Sequence, residues 1–540
     1  MSDTQVERIV QRLRTAEESL TPYWDKVHRM RTILAGDPRA LVSKGMSDDD
    51  KSDVKRAYVT ERNDIFVKDI EEGRSNKILH SIRTLVQQTT YAFPEIECED
   101  LEYEESNLHS EYFRQRLGPS PIGCDVVIEM RRALYDFLTG GFGWVWIGMQ
   151  GGKPTVRWVD TLDCKWDQQS TTTGSGRWWS CTMYGSLEYW QSIFGKGKFA
   201  KYLKEANPTP DTPIELEYYY DIEGAEGNWL VLFKTGKDEV DHTPVFKGKN
   251  PCWWDYGGQR VPFLPAESMF FMEVPSVRLP IGLIEQMLPS QIALWRVEKG
   301  IRDIVDNPAF YEVEKESLDA KQKQVFEDGK VGSVVEREKG STPIQQHRAM
   351  EIPNSLLDWR NYHSDEIIGH SGINPYAAGV GQDVAFAAET QAIRAASGLM
   401  AGTISKENAD FWLRMLRKYL AKGAAYDEWP LVVRHEEVTL TFDEANPIKR
   451  FLKPDARMTI KEDTMQFMDQ PTKVALAAKD LEVALKVAPM FPNAVKEAYT
   501  AYLRAREVNN IDKFTKPPDP TEMAQMTGQA QAPVPAPVIN

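Results

Sequence analysis

Residues 275–308 read PSVRLPIGLIEQMLPSQIALWRVEKGIRDIVDNP. From about Ile281 to Asp306 the apolar residues Ile284, Met287, Leu288, Ile292, Leu294, Trp295, Ile301 and Ile304 recur every three to four positions, the spacing of an amphipathic helix. At 1.5 Å per residue such a helix is roughly 36 Å long, about twice the usual length. Residues 309–352 follow as a compact charged insert, in which strand-like FYEVEKES and GSVVEREKG enclose the helix-like ESLDAKQKQVFEDG. A second helical run returns from Asn354 to Ile368, then a loop of small and turn residues, GINPYAAGVGQDVAFAAET (372–390), then a helix reaching nearly to Tyr426. The rest of the chain has to accommodate this order of long helix, small charged module, returning helix, loop and long helix.

At 540 residues the chain exceeds one ordinary core, so several domains or layers are expected. A hydrophobic fraction of 41% and 15 tryptophans supply ample surface to bury. The net charge of −15 argues against a protein that grips nucleic acid over its whole surface, since phosphate binding relies on Lys and Arg. The five cysteines, Cys98, Cys124, Cys164, Cys181 and Cys252, are dispersed without CxxC spacing and read as free thiols of a reducing compartment. No run of eighteen apolar residues occurs and the start, SDTQVERIVQRL, is charged, so neither a membrane span nor a signal peptide is expected.

Residues 4–34 read as a helix that Pro22 breaks or kinks, and 41–64 as a polar loop or arm. Arg74 to Tyr91 is helical by period and ends before Pro94 and the strand-like IEC; Phe113 to Gly123 is loop-like; Asp125 to Leu138 is again an amphipathic helix. The period then changes. GGFGWVWIGM, GGKPTVRWVD, RWWSCTM, IELEYYYD, NWLVLFK and SMFFMEV are short aromatic and β-branched runs bounded by turn residues, the pattern of strands, with one short helix at Ser186 to Gly195. Residues 139–273 are therefore a mostly β region, which LVVRHEEVTLTFDE (Leu431 to Glu444) is expected to complete as one bent strand or two. Ile460 to Asn509 reads as helices, and the Pro, Ala and Gln rich tail from Lys516 as disordered.

No catalytic pattern is complete. GKGK at 195–198 lacks the spacing and the Ser or Thr of a phosphate loop and reads as a surface turn. HSG at 370–372 falls short of a nucleophile elbow and reads as a helix end, and His435 followed by Glu436 and Glu437 lacks the second His of a zinc helix. Neither an enzyme nor a bound cofactor or metal is expected.

Several stretches resemble, in order, the portal proteins of tailed bacteriophages. SNKILHSIRTLVQQTTYAFPEIEC resembles that family's early helix running into a Pro and a strand; ALYDFLTGGFGWVWIGM its helix, glycine turn and aromatic strand; VRWVDTLDCKWDQQS its wing segment. VPFLPAESMFFMEVPSVRLPIGLIEQMLPSQIALWRV is similar to the passage into the first stem helix, with a Pro-x-Gly start and a Gln near mid-helix, and SGINPYAAGVGQDVAFAAETQAIRAASGLMAGTISKEN to the tunnel loop and the start of the spine. The resemblance covers about 75–510, and its weight lies in the order of the segments.

The resemblance implies an α+β portal fold: an N-terminal helical arm (1–74), an α/β wing (75–279), stem helices (280–308 and 353–371) flanking a small α/β clip (309–352), a tunnel loop (372–390), a spine helix returning to the wing (391–457), a helical crown (458–515) and a disordered tail (516–540). It implies a ring, in the family usually of twelve subunits, at one capsid vertex of the virion, assembled in the host cytoplasm and passing double-stranded DNA during packaging and ejection. The implied partners are further copies of the chain, the terminase large subunit, head-completion, adaptor or tail proteins, and capsid and scaffold proteins, with no membrane. Residues expected at the channel are Asn374, Tyr376, Gly379, Val380, Gly381, Gln382 and Asp383, in a loop without Lys or Arg. Arg296, Lys299, Arg302, Asp303 and Arg360 are expected at stem or subunit contacts, with Arg296, Lys299 and Arg302 approaching Glu298, Asp303 or Asp306 of a neighbour, and Glu314, Lys315, Lys321, Lys323 and Glu336 at the partner-docking clip. The competing readings are another packaging component, ATPase or nuclease, and a head-tail adaptor.

Overall fold

The computed structural model describes residues 2–35, 76–90, 92–119, 123–150, 152–168, 176–199, 213–234, 243–256, 258–270, 279–306, 309–312, 345–348, 352–371, 387–435, 438–443, 445–461 and short pieces between 477 and 506. They form a mixed α+β protein. In chain order the elements are α1 (Asp3–Ala35), α2 (Lys77–Thr89), β1 (Glu95–Cys98), α3 (Tyr103–Leu117), α4 (Val126–Gly140), β2 (Phe142–Gln150), β3 (Lys153–Val159), β4 (Cys164–Trp166), β5 (Trp178–Ser186), α5 (Leu187–Phe194) and β6 (Pro213–Asp221). There follow β7 (Asn228–Phe233), β8 (Pro244–Lys249), β9 (Trp253–Tyr256), β10 (Gln259–Pro262), β11 (Ala266–Phe270), α6 (Leu283–Asp306), β12 (Ala309–Glu312), β13 (Gln345–Arg348), α7 (Asn354–Ser371), α8 (Ala387–Tyr426), β14 (Leu431–His435), β15 (Val438–Phe442) and β16 (Met458–Lys461). The chain divides after Gln466, and of the second unit only short helical pieces such as 481–486 are described.

Two antiparallel sheets dominate the first unit. One is three-stranded in the order β11-β2-β3; the other is five-stranded in the order β4-β5-β6-β7-β8. Along β5, β6 and β7 alternate residues go to opposite faces, as the two-residue period of a strand requires. Trp179, Tyr218, Tyr220, Val231 and Phe233 enter an aromatic core shared with Phe142, Trp144 and Trp166, while Trp178, Tyr219, Leu230 and Leu232 enter a second cluster with Val6, Ile9, Leu13 and Ala16 of α1. Burial on both faces is why these strands read as unbroken aromatic runs. Ring pairs such as Tyr220–Trp229 (centroids 5.9 Å apart) and Phe142–Trp166 (4.7 Å) tie strands and sheets together.

Helix α1 belongs to this sheet and does not stop at Pro22. Proline removes one helical hydrogen bond, but the residues around it are held from outside: Leu20, Tyr23 and Val27 are buried in the aromatic core, and Tyr23 Oη donates to Gly140 O at 2.9 Å. A second expectation fails at Phe113 to Gly123, where α3 is helical as far as Leu117. Its apolar stripe of Leu108, Tyr112, Phe113 and Leu117 is thin among charged neighbours, yet all four are buried. Third, Met458–Lys461, at the start of a stretch expected to be helical, is a strand paired antiparallel with β1. Fourth, among the described residues β14 and β15 pair only with each other and not with the aromatic sheet.

The spine of the unit is α8, a 40-residue helix. From Phe411 onward it buries Phe411, Trp412, Met415, Leu416, Tyr419 and Leu420 in the main core. Basic side chains on the same helix reach the three-stranded sheet, Lys418 Nζ to Ala266 O (2.6 Å) and Lys422 Nζ to Ile147 O (2.7 Å). The helix ends at a buried ion pair: Arg116 Nε and Nη2 meet Asp427 at 3.0 and 3.1 Å, with no side-chain exposure on either partner.

Candidate functional site

Helices α6 and α7 form the element on which the functional reading turns. Two glycines let α6 start where it does. Gly141 closes α4 in the left-handed region (φ 88°), and a Cβ at Gly282 would run into the carbonyl of Thr139, so the 280–282 segment can cross the end of α4 only without a side chain there. Lys26 Nζ fastens the crossing from α1, bonding Glu285 Oε1 at 2.7 Å and Pro280 O at 2.9 Å.

The first half of α6 is core. Leu283, Ile284, Met287, Leu294 and Trp295 are buried, and so is Gln291. Gln291 Oε1 accepts from the backbone N–H groups of Lys77 (3.0 Å) and Ile78 (3.3 Å), while Asn76 Oδ1 accepts from Leu79 N–H at 2.9 Å. The amide thus satisfies donors that α2 leaves unpaired at its first turn. The sequence singles out a glutamine near mid-helix, but its service to a helix more than two hundred positions away was not visible there.

Strands β12 and β13, which pair antiparallel, carry the chain out of α6 and back into α7. Two links give the alignment of the helices. Ser290 Oγ donates to Glu366 Oε2 at 2.8 Å, and Arg360 Nε faces Glu298 Oε1 at 3.7 Å. The helices are therefore antiparallel neighbours. The hydrogen bond from Ser290 is the main reason the Glu366 carboxyl sits below its ordinary range. The mean offset of the two links puts Lys299 near the height of Asp358, and Arg296 near that of Asn361, about one turn from Asp365.

The outer faces differ in charge. At about 100° per residue, Arg296 and Lys299 lie across α6 from Ser290 and Glu298, and Asp358 and Asp365 lie across α7 from Arg360 and Glu366. Arg296, Asp358 and Asp365 are exposed and Lys299 is half-buried. One edge of the pair is basic and the other acidic, with Lys299 near the height of Asp358 and Arg296 about one turn from Asp365. The end next to β12 and β13 also exposes large apolar groups: Trp359 is 57% exposed, Tyr362 59% and Val305 57%. Trp359 and Tyr362 both lie against the ring of His363, at 5.4 and 5.2 Å.

Of the residues expected at stem contacts, the structure brings Arg360 to Glu298 of its own chain and leaves Arg302 half-buried on α6. Asp303 lies in α6, with its side chain outside the description. The expected channel residues Asn374, Tyr376, Gly379, Val380, Gly381, Gln382 and Asp383, and the clip residues Glu314, Lys315, Lys321, Lys323 and Glu336, lie outside the described residues. Trp359 and Tyr362 were passed over in the sequence, although bulky aromatics off the buried stripe of a helix were a legible signal. Among the described residues no cluster of three or more His, Cys, Asp or Glu is arranged to hold a metal, and no helix is long and apolar enough to cross a membrane.

No family model matches the chain, and no curated protein matches it. Among solved structures, the virion of the native gene transfer agent particle is similar over 77% of this chain and 87% of that one, at 10% identity and a TM-score of 0.36. The neck of the empty gene transfer agent particle, computed with C6 symmetry, is similar over 64% and 79% at 11% identity and a TM-score of 0.34. The neck of the native particle, computed with C12 symmetry, is similar over 64% and 78% at 12% identity and a TM-score of 0.31. Likeness at this level is too loose to carry an inference about assembly or activity.

Proposed function

We propose that the chain is a portal-type subunit, copies of which close head to tail into a ring around a passage for double-stranded DNA at one vertex of a tailed-phage-type capsid. The observation that carries this reading is the α6–α7 pair, with complementary charge on its two outer faces, Lys299 near the height of Asp358 and Arg296 about one turn from Asp365. Closure by rotation about an axis parallel to the helices brings the basic face of one copy to the acidic face of the next without changing height. Lys299 then meets Asp358, and Arg296 reaches Asp365. Trp359 and Tyr362, large apolar groups of the kind that anchor interfaces, are covered in the same contact. This assignment is an alternative to the pairing of the basic residues with Glu298, Asp303 or Asp306 of a neighbour.

In this reading 309–352, between the two helices, is the docking surface for the terminase large subunit and later for head-completion, adaptor or tail proteins. The loop expected at 372–390 is shortened at its end, since α8 already begins at Ala387; residues 372–386 line the passage, and the particle assembles in the host cytoplasm on capsid and scaffold proteins. The subunit is a conduit and not an enzyme, so the purified chain should not hydrolyse ATP. Turnover that co-purifies with it and disappears in Lys198→Ala would favour the packaging-ATPase alternative.

Charge reversal with rescue tests the contact. Arg296→Asp with Lys299→Asp, or Asp358→Arg with Asp365→Arg, should each abolish the ring while leaving the monomer folded, and the four changes together should restore it. Rings that persist in both double variants would remove this interface.

A further inference from the structure

The five cysteines were expected to be unrelated thiols, and all five are free in the structure. Two of them nevertheless stand opposite each other: in the antiparallel β4–β5 pair, Cys164 is the register partner of Cys181. The kind of pairing follows from two hydrogen bonds at the strand ends. Asp167 N–H donates to Trp178 O at 3.2 Å, which marks 167 and 178 as a hydrogen-bonded pair. Because such pairs alternate with non-hydrogen-bonded ones, Trp166 and Trp179 are a non-hydrogen-bonded pair, Lys165 and Ser180 a hydrogen-bonded one, and Cys164 and Cys181 non-hydrogen-bonded again. The other edge of β5 agrees. Ile222 N–H donates to Arg177 O at 3.0 Å, so in the β5–β6 register Cys181 is hydrogen-bonded to Tyr218 and turns its backbone groups away from β4.

Non-hydrogen-bonded partners have Cα atoms about 4.5 Å apart and the closest side chains of any cross-strand pair. A disulfide needs roughly 4.4–6.8 Å. Both thiols point into the same aromatic core, neither with any exposed surface. The other three cysteines have no such partner; Cys98, for example, stands opposite Met458.

We propose that Cys164 and Cys181 are a latent cross-strand disulfide, closed by small-molecule disulfides such as oxidised glutathione. The proposal is independent of the function argued above. One protein thiolate attacks the small disulfide, forming a mixed disulfide and releasing one small thiol. The second thiolate attacks the protein sulfur of that intermediate and releases the other. Two protein thiols and one small disulfide thus become one protein disulfide and two small thiols, with two electrons passing to the reagent. The bond pins β4, a three-residue strand at the sheet edge, to the body of the sheet. Burial holds both thiols protonated well beyond their ordinary range, so closure in the folded protein waits for opening of the edge strand and quickens as pH rises.

The test uses the full chain made in cells with an oxidising cytoplasm, where thiols meet the oxidant before they are buried, beside the same chain made in a reducing host. Thiols are alkylated in denaturant and the peptides read by mass spectrometry. The expected result is loss of two of the five thiols in the oxidised preparation and a linked Cys164–Cys181 peptide lighter by two hydrogens. Cys181→Ser should keep all its remaining thiols. Five alkylated cysteines in the oxidised chain, or linkage mainly through Cys98, Cys124 or Cys252, would overturn the proposal.

Discussion

The five-stranded sheet and the α6–α7 pair bury their aromatic residues to opposite degrees. In the sheet both faces are covered within one chain, and Trp179, Tyr219 and Phe233 have almost no exposure. In the helix pair only the half near α2 and α4 is covered, while Trp359 and Tyr362 stand more than half exposed between charged edges. The first region is complete in a single copy. The second leaves large aromatic groups uncovered, and the proposed contact between copies rests on that difference.

Matched truncations should break this symmetry most sharply. Trp179→Ala removes a fully buried ring and should cost about 3–5 kcal/mol, seen as a large fall in the denaturant midpoint. Gln291→Leu, at the root of the helix pair, strands the Lys77 and Ile78 N–H groups and should cost about 1–3 kcal/mol by the same measurement.

A pH series separates the regions further. Burial raises the carboxyl of Asp163 from 3.8 to about 6, even though Tyr184 Oη donates to it at 2.6 Å. Since the folded value is the higher one, this group's contribution to stability is complete below 3.8 and is lost as pH rises through about 6. Asp163→Asn keeps an acceptor for Tyr184 and should stabilise the protein at pH 7 by about 1 kcal/mol, the carboxyl being half-buried, with the gain over the parent vanishing near pH 4. A gain in Tm that is the same at both pH values would contradict this. The smallest effect belongs to Trp359→Ala, which should change monomer unfolding by only about 0.5 kcal/mol while reducing association measured by sedimentation.

Local pattern carried much of this architecture. The spacing from Ile281 to Asp306 anticipates α6 to within two residues of its observed start, and the aromatic runs of 139–273 correspond to strands because covered sheets need such residues on both faces. What was hidden depended on partners far along the chain. The tertiary hold on Tyr23 carries α1 through Pro22, and β16 is a strand because β1, over three hundred positions earlier, offers it an edge. The candidate site was half legible. The charges of Arg296 and Lys299 could be singled out, but that Glu298 lies beside Arg360 and that Asp358 stands near the height of Lys299 requires the alignment of two helices separated by the insert.

The central claim is that copies of this chain close into a ring through the faces of α6 and α7, and electron-microscope images of the purified full-length protein test it most directly. The account predicts closed rings with a central hole at moderate salt and protein concentration. Fields containing only monomers or dimers across the whole range of salt and concentration would contradict it.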